Sequence, residues 1–222
     1  MLGTNLTVPL TKARHSKLLV AAELLIIYVA LLLYIWKFQF RYPFSAAYIL
    51  VFILLTILVH HDSGATLGTT HLMFWPAIRA ILLPTLLLLG AQVVVGALLG
   101  TLHLPSLDSA GLHRLGRYFA WCLFQQFGLQ SFFNNRLIFL VVNRRLSSFL
   151  IAILFASFHW PNPVLLPLTF VGGYFMADVF ARHRNIIPLA AAQALLGSAV
   201  PSCFSRALHH NLRVGPGYYW PL

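Results

Sequence analysis

The chain predicts an all-α membrane protein, a polytopic transmembrane bundle of about seven to eight spans. Three observations carry that expectation. Of 222 residues, 59% are hydrophobic and 9% charged, with a mean hydropathy of +0.82. A soluble domain carries about 25% charged residues, so too few charges are present to build a water-facing surface. Apolar runs of spanning length recur along the chain. The basic residues collect in the breaks between them.

Charge placement also bears on function. The net charge of +11 comes from fifteen Lys and Arg against four acidic residues, Glu23, Asp62, Asp108 and Asp178. Most of the cations fall in short clusters, Lys12/Arg14/Lys17, Lys37/Arg41, Arg114/Arg117, Arg144/Arg145 and Arg182/Arg184. Such clusters flank membrane spans and meet anionic headgroups. Nucleic-acid binding would need them gathered on one soluble face, and is set aside. Membrane lipids are the expected surroundings, in a multi-pass protein of the cell membrane.

Taken in order, the expected spans cover 18–36, 44–60, 79–101, 115–142, 147–160, 163–181 and 186–202. The first lacks the short core and cleavage site of a signal peptide and is expected to remain as an anchor. The fourth is long, either one tilted helix or a helix broken near Gly128. The fifth stops at Pro161-Asn162-Pro163, since proline cannot continue the helical ladder. The stretch 62–78, polar and then aromatic, is a re-entrant or interfacial segment, or hides an eighth span. A cytoplasmic N-terminus places eight cations inside against six outside, a slight positive-inside bias. Residues 1–222 form one membrane domain.

Polar residues inside the spans are the functional candidates, because hydrocarbon penalises unpaired polar groups. Gln126, Gln130 and Asn134 recur every four residues, a polar stripe on one helix face, with Gln125 and Ser131 beside it. Interhelical amide bonding and a ligand pocket both account for that stripe. His159 closes the fifth run, Asp178 lies near the end of the sixth beside Arg182, where a local ion pair is expected, and Gln193 lies in the seventh. His60-His61-Asp62 with His71, and His209-His210, lack the i, i+4 spacing of helical metal sites. No metal and no cofactor is expected. Cys122 and Cys203 form no framework or zinc pattern.

The order of these motifs resembles the CPBP family, the CAAX-processing and Abi-type glutamic intramembrane proteases. That family carries Glu-Glu-x-x-x-Arg in one helix, Phe-x-x-x-His in a later one and His-x-x-x-Asn/Asp in a third. Here Gln125-Gln126-x-x-x-Gln130, followed by Ser131, stands in the first place. Phe155-x-x-x-His159 matches the second, and Gln193 with Gly197 stands in the third. Gly172-Gly173 and the turn Arg182–Pro188 resemble the connecting region. The likeness covers residues 115–200. It implies an interhelical site in which the family's glutamate and histidines activate a water against a peptide bond. A glutamine amide is no useful base near neutral pH, so ordinary proteolysis is not expected.

Three readings follow. The first is an enzyme with altered, non-proteolytic chemistry on a lipid or prenyl-type substrate. His159 would be its catalytic proton-transfer group, with Gln125, Gln126, Gln130, Asn134, Gln193 and Phe155 binding substrate. The second is a catalytically silent relative that binds a lipid, peptide or membrane partner. The third is a protease recruiting another carboxylate, Asp62 or Asp178. The first two require amides of the fourth and seventh runs to meet His159 in one cavity.

Overall fold

The computed structural model describes residues 16–103 and 109–221. Lys12, Arg14 and Asp108 lie outside the described residues. Helix α1 (Lys17–Leu33) begins at Ser16, whose Oγ accepts from the amide of Leu19 at 3.1 Å, filling one of the donors a helix start leaves open. It runs on as a π-helical turn, Tyr34–Phe38. A short 3-10 turn at Pro43–Ser45 leads into α2 (Ala46–Val59). Helix α3 (Gly64–Leu67) is capped by Ser63 and closed by Gly68 at φ 70°. A side chain at Gly68 would strike Phe180 and the Arg184 backbone, so glycine is required there for both conformation and space.

Helix α4 (Phe74–Leu98) crosses the molecule with Pro84 inside it. Helix α5 (Ser109–Gln126), a π-helical segment (Phe127–Asn134) and α6 (Asn135–Val141) follow one another without a break. Val142, at φ 58°, ends that path. Helix α7 (Arg144–Ser157) starts from Asn143, which accepts from Leu146 N at 3.0 Å. Helix α8 (Leu165–Arg182) has its first open amides met by Asn162, whose Oδ1 accepts from Val164 N and Leu165 N, both at 3.1 Å. Helix α9 (Ile186–Cys203) is capped by Asn185, and α10 (Arg206–His209) follows it.

Two apolar clusters organise the packing. One joins Leu24 and Ile27 of α1, Ile53 and Ile57 of α2, Phe132 and Phe133 of the π segment, and Ile151 and Phe155 of α7. The other joins Ile81 of α4, Met176 and Phe180 of α8, and Leu189 and Leu196 of α9. Phe127 packs against both, which puts the π segment at the seam between the two halves. Glycine allows the closest approaches, Gly173 of α8 against Ala152 and Phe155 of α7, and Gly96 of α4 against the Cys203 backbone.

The expectation of seven to eight spans is corrected. Among the described residues, three helices are long and apolar enough to cross a membrane: Lys17–Phe38, Phe74–Leu98 and Ile186–Cys203. They coincide with the first, third and seventh expected runs. The second run folds as an apolar helix that is too short, Pro43–Val59; seventeen residues at about 1.5 Å each reach about 25 Å, less than the roughly 30 Å hydrocarbon core. The fourth run carries Arg117 near its start, Arg136 near its end and buried amides in its middle. The fifth yields only the 14 residues of α7. In the sixth, Gly172-Gly173, Asp178 and Arg182 dilute the apolar run of α8.

No eighth span lies in 62–78. That stretch holds the short α3, a turn over 68–73 and the first residues of α4, and side chains from elsewhere tie α3 and the turn in place. Ser131 Oγ donates to Leu67 O (2.6 Å), Asn135 Nδ2 to Thr66 O (3.0 Å), and Asn185 Nδ2 to Thr70 O and Leu72 O (2.8 and 3.1 Å). Backbone carbonyls satisfied by side chains need no helix to bury them.

Candidate functional site

The polar stripe of the sequence sits where the α-helical ladder widens into the π segment. Residues four apart overshoot an α-helical turn of about 3.6 residues, and the wider π winding brings them back toward one line. Gln126, Gln130 and Asn134 are all wholly buried there. Their amides form a chain. Ser147 Oγ of α7 donates to Asn134 Oδ1 at 3.0 Å. Asn134 Nδ2 donates to Gln130 Oε1 at 2.9 Å and to the Ala177 carbonyl of α8 at 3.0 Å. Gln130 Nε2 donates to Gln126 Oε1 at 3.1 Å. Gln126 Nε2 donates to Gln193 Oε1 of α9 at 2.7 Å and to the Met176 sulfur at 3.2 Å. Gln193 Nε2 donates to Gln125 Oε1 at 2.6 Å.

At Gln125 the chain reaches a cavity of about 220 Å³ between α5, α7, α8, α9 and the C-terminal segment. Gln125, Gln193, His159, Phe155 and Tyr118 contribute to its wall, and Trp121, Leu165, Leu168, Met176, Leu196, Leu212 and Val214 supply most of the apolar remainder. Gln126, Gln130 and Asn134 do not line it; they stand behind it. The structure therefore brings Gln125, Gln193, Phe155 and His159 together around one hollow.

His159 sits in the turn after α7, its ring edge-on to Phe155 at a centroid distance of 4.8 Å. Its Nδ1 is 2.7 Å from the Phe155 carbonyl. A carbonyl only accepts, so Nδ1 carries the proton and Nε2 keeps its lone pair. Burial pushes the imidazole pKa down to about 4, against the opposing pull of that carbonyl. The ring is thus a neutral acceptor at physiological pH.

Tyr118 had no place in the sequence reading. Its phenol, hydrogen-bonded to the Cys122 thiol, lies against Gly197, filling the space a side chain at 197 would take. The third motif position is empty because a tyrosine from α5 occupies it. Seven positions is two helical turns, which puts Tyr118 on the α5 face that carries Gln125, so that spacing is the signal that could have found it.

The described carboxylates lie elsewhere. Asp178 is held by Arg144 at 2.8 Å and Arg182 at 2.7 Å. Asp62 pairs with Arg136 at 2.8 Å, and Glu23 lies 2.9 Å from His60 Nε2. Neither Asp62 nor Asp178 contributes to the cavity wall. Among the described residues, no group of three or more His, Cys, Asp or Glu side chains is arranged to hold a metal.

Fold and site together define an all-α, multi-pass integral-membrane protein with an amide-edged cavity between its helices. Residues 118–198 match the family profile of the Type II CAAX prenyl endopeptidase Rce1-like proteins. The match covers somewhat over a third of the chain and encloses Gln125 through Gln193. It is a likeness to CAAX-protease-type proteins at large, broader than the Abi-type subgroup named from the motifs. No curated protein and no solved structure matches the chain.

Proposed function

We propose that this protein captures a lipid or prenyl-type amphiphile in the cavity and does not cleave peptide bonds. One observation carries the reading. The cavity wall is mostly apolar, and its polar edge consists of neutral groups, Gln125, Gln193 and a neutral His159. An apolar chain fits the wall, and a small uncharged head fits the edge. Peptide hydrolysis needs a base to take a proton from water; among the described residues no carboxylate lines the cavity, and the His159 imidazole, with a pKa of about 4, is a weak base there. The likeness to prenyl endopeptidases supports a prenyl-type ligand, and the amide replacements support retained binding within a divergent CPBP-like framework.

The experiment is purification from membranes with and without the cavity intact, followed by lipid extraction and mass spectrometry. A lipid or isoprenoid species enriched with the wild-type protein and depleted with Leu196→Trp, which fills the cavity, is expected. Identical lipid profiles from the two proteins would refute the reading.

The free Nε2 of His159 favours a second reading, an enzyme with altered chemistry on the same ligand class. His159 would then transfer a proton while Gln125 and Gln193 orient the substrate. The two readings part on His159→Ala. A binder loses part of its ligand occupancy, whereas an enzyme loses all product formation at unchanged expression.

A further inference from the structure

The amide chain has a direction, and that direction specifies which end of a ligand the cavity accepts. Amide oxygen and nitrogen differ in what they can bond, so one fixed end determines every link. The fixed end is the Ala177 carbonyl, which only accepts and so must face Asn134 Nδ2. The second hydrogen of Nδ2 goes to Gln130 Oε1, which turns Gln130 Nε2 to Gln126, Gln126 Nε2 to Gln193, and Gln193 Nε2 to Gln125 Oε1. The Met176 sulfur, a weak acceptor, lies on the nitrogen of Gln126, as the same order requires. The chain ends with Gln125 presenting its NH2 at the cavity edge. Bonds in such a series polarise one another by about 10–30% each, which strengthens the last donor.

The two hydroxyl groups on the wall have their protons committed. Thr169 Oγ1 donates to the Leu165 carbonyl at 2.7 Å, and the Tyr118 hydroxyl is engaged with Cys122. His159 offers only the lone pair on Nε2. Among the described residues, the wall thus offers Gln125 Nε2 as its amide donor and His159 Nε2 as its nitrogen acceptor, beside the indole N–H of Trp121 and the lone pairs of the Thr169 and Tyr118 oxygens.

We infer that the site selects a prenyl or long-chain alcohol, or a head of the same donor-and-acceptor character, over the corresponding amine, through Gln125 as donor and His159 as acceptor. This rests on the amphiphile-binding reading above and narrows it to a head chemistry. A hydroxyl oxygen accepts from Gln125 and its proton serves His159. An ammonium brings only donors, which leaves Gln125 Nε2 facing a like group and adds an uncompensated charge.

The test uses the full-length protein in phosphatidylcholine nanodiscs, with empty nanodiscs subtracted. Farnesol, farnesyl methyl ether and farnesylamine compete for the site. Farnesol is expected to bind about tenfold tighter than the amine, the scale of one mispaired polar group, with the ether between them. Gln125→Glu replaces the donor with a carboxylate and is expected to reverse the order. Gln125→Met keeps the shape, removes the donor and is expected to erase the preference of ether over amine; it serves if the glutamate variant does not fold. Equal or tighter binding of the amine to wild type, or a preference unchanged in both variants, would overturn the inference alone. Failure of all three probes to bind would overturn the ligand class and the inference with it.

Discussion

Gln193 is the residue on which the cavity edge turns, since it receives from Gln126 and donates to Gln125. Replacing it by leucine leaves a buried donor on Gln126 with only the Met176 sulfur and strips Gln125 of its partner. A loss of about 1–3 kcal/mol is expected, read from denaturant unfolding in detergent, with Gln193→Glu costing less because its oxygen still accepts. Gly197 answers to Tyr118. Gly197→Ala should lower the melting temperature, and adding Tyr118→Ala should recover part of that loss in a double-mutant cycle. His159 has a folded pKa of about 4, below its unfolded value of about 6.5. Its neutral form therefore stabilises the fold fully above pH 6.5, and that contribution is lost as pH falls toward 4. His159→Asn should flatten that segment of the stability curve relative to wild type; parallel curves would count against the buried neutral ring.

At the scale of elements, the π segment and α6 are tied to the first helix by charge. Arg136 reaches Asp62 at 2.8 Å and lies 4.0 Å from Glu23, with both partners and the guanidinium almost wholly buried. Arg136 Nε and Nη2 have no hydrogen-bond partner among the described residues, although the guanidinium lies over the Phe132 ring at 4.7 Å. Removing one member strands a buried charge, at a cost of about 3–5 kcal/mol, while removing a pair together costs much less. Asp62→Leu should therefore destabilise more than Asp62→Leu with Arg136→Met, compared by thermal unfolding. The same pairing explains why Asp62 is no catalytic carboxylate. Sequence alone shows four acidic residues but not whom each one meets, because Glu23 and Arg136 are more than a hundred positions apart.

For the whole molecule, exposed apolar surface is concentrated on α1, α2 and α4. On α4, Leu83 and Leu87 are each 64% exposed and Leu98 is 81% exposed, whereas two-thirds of α9 is buried among its neighbours. A charge on the outer face should oppose insertion by about 2.5–3.5 kcal/mol at mid-helix. Leu87→Lys is expected to reduce the carbonate-resistant membrane fraction, and Lys37→Leu to leave it unchanged.

Composition determined that lipid is the solvent, because charge content is a sum that no arrangement alters. Residue spacing determined the amide stripe and the matched Phe155-x-x-x-His159, because helical periodicity is local. The expected seven to eight spans exceed the three spanning helices for the same reason. An apolar run reports burial without saying whether lipid or protein does the burying, and α7, α8 and the π segment are covered largely by one another. Only the tertiary structure decided which amides line the cavity and which stand behind it, that Tyr118 takes the place beside Gly197, and which way the hydrogen-bond chain points. Each depends on contacts between segments distant in the chain, and such contacts leave no mark in local order.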